Sequence, residues 1–175
     1  GNHRLRRGAG DYLEQAASGS PEAMAHVGIG YASGTDGYPE DLERARYWLR
    51  LAAEKEVPAA MGIYALVCFY DDERNDPKQS LELLRKASEH DDDFKAWLAL
   101  LLYEGEALGV WPDYRESAKL ATAAAESGNP LGKVVMAFHY YDGPPVDEDL
   151  DKARLPASEA ANEGEAQALG SLRSL

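Results

Sequence analysis

A metal centre or an acid–base pair in this chain would have to come from four histidines, one cysteine and 31 carboxylate residues. His3, His26, His90 and His139 lie in different stretches, with no paired spacing that would set two zinc ligands together. Each reads as an ordinary surface or groove residue. Asp91 to Asp93 and Asp147 to Asp151 are acidic runs, but neither carries the central Gly and terminal Glu of a calcium loop. No GxSxG, HExxH or phosphate loop is present. Gly28-Ile29-Gly30 falls inside a helical pattern at a packing position. Cys68 has no basic neighbour to lower its pKa and reads as a buried structural thiol. The residues therefore predict no catalytic group, no metal and no cofactor.

Charge says more about partners. The 31 acidic residues outnumber 18 basic ones, for a net charge of −13. Such a surface repels nucleic acid and anionic membranes and favours a basic protein; acidity serving only solubility is the alternative. The basic cluster Arg4, Arg6, Arg7 reads as a solvated arm. One cysteine rules out an intrachain disulfide and leaves the compartment open. No apolar run reaches the roughly 18 residues of a membrane span, and no signal peptide is visible. The pattern opens within a second helix of a unit and stops within a first helix, as a chain trimmed of a leader or lipid anchor would; Gly1 reads as a tag scar.

The element that organises the chain is the stretch 21–56, two helical patterns around a Gly-rich break. Small residues recur in the second helix at Ala9, Ala45, Ser80, Ser117 and Ala153, and again at Ala16, Ala52, Ala87, Ala124 and Ala160. Both series advance by 36, 35, 37 and 36 residues along the numbering. Acids open the second helices at Asp41, Asp76, Asp113 and Asp149, and small residues sit in the first helices at Gly28, Ala65, Ala99 and Ala137. Fixed small residues let stacked helices approach closely. One domain over 1–175 is expected: a half-repeat at 5–20, repeats at 21–56, 57–91, 92–128 and 129–164, and a half-repeat at 165–175. Pro21, Pro58 and Pro130 mark first turns, and Asp41 and Asp76 mark caps. Leu42, Ala45, Trp48-Leu49 and Ala52 form one buried stripe, and Pro156 predicts a kinked or late-starting helix.

Ala23, Val27-Gly28, Tyr31, Gly34, Asp41, Ala45, Trp48 and Ala52-Ala53 resemble the Sel-one-like repeat, a relative of the tetratricopeptide repeat. The resemblance covers nearly the whole chain. It weakens where Asp71 replaces the turn Gly and Phe94 the first Ala. It implies an all-α, right-handed α/α superhelical solenoid used as a binding scaffold, not an enzyme. Small acidic bacterial members include immunity proteins that neutralise type VI secretion effectors, some of them lipases. By that likeness the expectation is a periplasmic toxin inhibitor, with a cytoplasmic location still allowed. A structural adaptor in a larger envelope or signalling complex, or a small-molecule hydrolase, are the other readings.

The resemblance also implies that the first helix of each repeat lines a concave face. Counted from Pro21, Pro58, Asp92 and Pro130, the core takes the third, seventh-eighth and eleventh positions. The fifth, ninth and twelfth then face the groove. The ninth are Ile29, Leu66, Leu100 and Phe138; the twelfth are Ala32, Phe69, Tyr103 and Tyr141. Exposed, these aromatics would make a partner-binding ladder rimmed by Asp71, Asp72, Glu104 and Asp142. The alternative is that the ladder is core. Trp97 reads as packing, and loop-borne Trp111 is open between packing and contact.

Overall fold

The computed structural model describes residues 7–71, 73, 75–105, 109 and 111–141. Among them are eight α-helices and no strand. The chain divides into two compact units, 1–87 and 88–175. The first holds α1 (Arg7–Ala17), α2 (Pro21–Ser33), α3 (Leu42–Glu54), α4 (Pro58–Phe69) and, at its end, α5 (Pro77–Ser88). The second holds α6 (Asp92–Glu104), α7 (Tyr114–Glu126) and α8 (Pro130–Tyr141). The second helix expected from Asp149, the Pro156 kink, the half-repeat at 165–175, Asp147 to Asp151, His3, Arg4 and Arg6 lie outside the described residues, as do Asp72 and Asp142.

Local chemistry starts the helices where the sequence suggests. Ser20 caps α2 by accepting the Ala23 N–H at 3.3 Å, with Pro21 in the first turn. Asp41 caps α3 through the Arg44 N–H at 3.1 Å, and Asp113 caps α7 through the Glu116 N–H at 3.0 Å. Asp91 accepts the Asp93 N–H at 2.8 Å ahead of α6. Each cap satisfies an amide that has no carbonyl partner, worth about 1 kcal/mol. Gly34 ends α2 in the left-handed region (φ 65°), its N–H returning to Gly30 O.

In the first unit α2 packs against α1, α3 and α4. Ala45, Leu49 and Ala52 of α3 are fully buried, but Leu42 is exposed and Trp48 only half-buried. The stripe is thus narrower than expected. Close approach explains Gly28: a Cβ there would lie 2.7 Å from Leu49 Cγ and 3.0 Å from Leu49 N. In the second unit α6, α7 and α8 pack mutually, around Ala99, Ala121, Ala125, Val135 and Met136. Gly132 makes the matching approach, its Cβ direction meeting Ala125 N at 2.7 Å.

The core positions hold fully in α2 (Ala23, Val27, Gly28, Tyr31) and in α6 (Phe94, Leu98, Ala99, Leu102). In α4, Tyr64 and Cys68 are half-buried, so Cys68 is less enclosed than a structural thiol was expected to be. In α8 the last turn differs by one residue: Tyr140 is exposed and His139 is buried.

Candidate protein-binding surface

The expected ladder separates into three environments. Leu66, Leu100, Tyr103 and Phe138 are half-buried, Phe69 is 4% exposed, and Tyr141 is 54% exposed. Phe69 is therefore core, which corrects its place in an exposed ladder. The packing also closes part of the expected groove. Successive first helices touch directly, α2 on α4 and α6 on α8. The fifth positions expected to face the groove, Ala25, Gly62, Ala96 and Val134, are all buried. In the second unit the ladder residues themselves make this seam. The Tyr103 ring lies 5.6 Å from Phe138, and its hydroxyl donates to Phe138 O at 3.3 Å.

The acidic rim is also revised. Asp71 is not a free rim charge: its carboxylate pairs with Arg46 of α3 and accepts the Glu73 N–H at 3.0 Å. Arg46 also reaches Glu43 at 3.1 Å. Both partners of the Arg46–Asp71 pair are mostly enclosed, so this ion pair ties α3 to the segment after α4. Glu104 is exposed as expected.

Three clusters form that the sequence did not group, although it singled out Trp111 and Tyr141 as candidate contacts. Tyr38, from the α2–α3 loop, is buried against Gly30, where a Cβ would meet its ring at 2.2 Å. Its hydroxyl donates to Ala9 O at 3.1 Å, fastening α1, and burial raises its pKa. Around it, Tyr31 stands edge-on at 5.0 Å and His26 at 6.0 Å, and His26 stacks on Tyr12 at 3.8 Å. Tyr38 sits between Gly37 and Pro39, and that turn was its only signal.

The second cluster is polar. Ser117 of α7 is fully buried and donates to Ala99 O at 2.6 Å. With that proton committed, its oxygen accepts from His139 Nε2 at 2.9 Å. His139 Nδ1 is buried without a hydrogen-bond partner among the described residues. Burial alone holds its pKa down at about 4. His139 was expected at a surface or groove; it is interior. A serine beside a histidine has the distance of a nucleophile–base pair, yet this hydroxyl is sealed from solvent and points at a carbonyl, so the pair packs α8 on α7.

The third is solvent-facing. Trp111, in the α6–α7 loop, is 87% exposed. Tyr140 and Tyr141 end α8 with their rings 5.0 Å apart, both exposed. In the first unit Tyr47 and Tyr70 are comparably open. No group of three or more metal-ligating side chains occurs among the described residues, and no described helix is long and apolar enough to cross a membrane.

The Sel1 repeat model matches the chain at residues 21–57, 58–92, 95–129 and 132–164. No curated protein matches it. Among solved structures, the chain is similar to a protective antigen of uropathogenic Escherichia coli displaying an SLR fold, at 28% identity and TM-score 0.72. That match covers 94% of this chain and 35% of the antigen. It is similar to a Sel1 repeat protein from Oxalobacter formigenes at 28% identity and TM-score 0.66, covering 87% of this chain and 62% of the other. A third, from Klebsiella pneumoniae, shares the fold at 21% identity and TM-score 0.62, covering 90% of this chain and 73% of that one. The chain thus spans less than two thirds of the length of the first two. Sel1 repeat proteins are generally non-catalytic protein-interaction modules built as all-α repeat solenoids. The chain belongs to the Sel1 repeat family.

Proposed function

We propose that this chain is a non-catalytic immunity protein that binds and neutralises a secreted toxin presenting a basic surface, in the periplasm. The observation that carries the reading is a net charge of −13 on a repeat scaffold of a protein-interaction family. A strongly acidic surface accelerates encounter with a basic partner, and that contribution fades as salt rises. Exposed aromatics then supply the lasting contact, because desolvated Tyr and Trp anchors dominate interface energetics. Leu66, Leu100, Tyr103 and Phe138, all half-buried, contribute at most their outer edges; Glu104 and Tyr141 remain available.

The direct test is a pull-down of the purified chain with the protein encoded beside its gene, paired with a growth assay. Tight, salt-sensitive binding and protection of cells producing that protein are expected. A chain that neither binds nor protects rules out the immunity reading and leaves the family's general role in protein interaction.

A further inference from the structure

Among the described residues of the second unit, the largest exposed apolar side chain is Trp111. Trp111 immediately precedes Pro112, which lies so close to Gly105 that a Cβ on Gly105 would meet Pro112 Cβ at 2.5 Å. The next residue, Asp113, donates its N–H to Leu102 O at 3.0 Å and caps α7. The indole therefore stands on a fixed stem. The first unit builds the same frame: Gly34 against Glu40, and the Asp41 N–H to Tyr31 O at 2.8 Å. There the residue matching Trp111 is Pro39, so the frame does not need an indole.

Tyr140 and Tyr141 belong to the same end of this unit. Tyr103, in the last turn of α6, touches Tyr114 at the start of α7 and Phe138 and His139 in the last turn of α8. The ends of α6 and α8 and the beginning of α7 thus lie together, and the Trp111 loop joins two of them.

We propose that this loop end is the partner-docking surface, with Trp111 as its anchor and the Tyr140–Tyr141 pair beside it. The occupant is a protein face that presents arginine or lysine next to an apolar pocket. Charge complementarity selects that chemistry: the chain is strongly acidic and Glu104 is exposed at this end. An indole face is the best aromatic seat for a guanidinium or ammonium group. Held in water by a stiff stem, it loses little conformational entropy on docking.

The proposal rests on the reading that the chain binds a basic protein, and the experiment separates the two. The full chain and its Trp111→Ala, Trp111→Phe and Tyr47→Ala variants are titrated calorimetrically with the protein encoded beside the gene. Trp111→Ala should weaken binding by about 30-fold or more. Trp111→Phe should fall between, and Tyr47→Ala should bind like the parent, all with unchanged helical circular dichroism. Trp111→Ala binding within twofold of a parent that binds tightly would overturn the docking surface and leave the immunity reading standing. A parent that does not bind overturns both.

Discussion

The ends of the α2–α3 and α6–α7 loops make the same contacts, and the two loops use their aromatic residues in opposite ways. Each opens with a positive-φ glycine, Gly34 at φ 65° or Gly105 at φ 33°, and each closes with an Asp whose N–H returns to the preceding helix and whose carboxylate caps the next. In the first unit Tyr38 turns inward onto Gly30 and secures α1 through Ala9 O. In the second, Trp111 turns outward and is left 87% exposed. Shared contacts at the loop ends do not decide what the residues between them do. One aromatic is buried as a fastener, and the other is left in solvent.

A second contrast lies beneath the loops. Ser117 and His139 occupy the positions taken in the first unit by the apolar Ala45 and Val67. The first unit is therefore packed with groups that do not titrate there, while the second carries a buried imidazole.

The sharpest way to break the comparison is to delete the inward aromatic. Tyr38→Ala should lower stability by about 3–5 kcal/mol, since it empties a filled site and frees α1. Urea unfolding would measure this, and a loss below about 1 kcal/mol would show that the loop does not hold the first unit. Next comes acid. His139 titrates at about 4 when folded against 6.5 when free. Between those values the unfolded chain takes up a proton that the folded one refuses. Its contribution is thus full above pH 6.5 and declines as pH falls to 4, by about 3 kcal/mol. His139→Leu should flatten that slope, and a slope unchanged in the variant would place acid sensitivity elsewhere.

Gly28→Ala tests the close α2–α3 seam of the first unit. Its methyl would press on Leu49, backbone included, at a cost of about 1–3 kcal/mol. A neutral result would mean that α2 and α3 have room to separate. The smallest effect should come from Trp111→Ala, within about 0.5 kcal/mol of the parent in unfolding experiments. A large destabilisation would make Trp111 a structural residue after all and erase the contrast with Tyr38.

What the sequence determined by itself is local and periodic. Pro21, Pro58 and Pro130 open helices, and Asp41, Asp76 and Asp113 cap them, because a first-turn proline and a capping carboxylate act within three residues. Recurring small residues located close helix approaches, as at Gly28, and the helical period located the faces of α2 and α6. Tertiary structure decided the rest. A helix in a stack has neighbours on more than one side, so a single periodic stripe could not show that Phe69 is enclosed or that Tyr103 lies in the α6–α8 seam. The Arg46–Asp71 pair joins residues 25 apart, and Tyr38 reaches Ala9 across 29. Ser117 and His139 meet across 22. No local pattern encodes such pairings, because they exist only once neighbouring helices have fixed where each side chain ends.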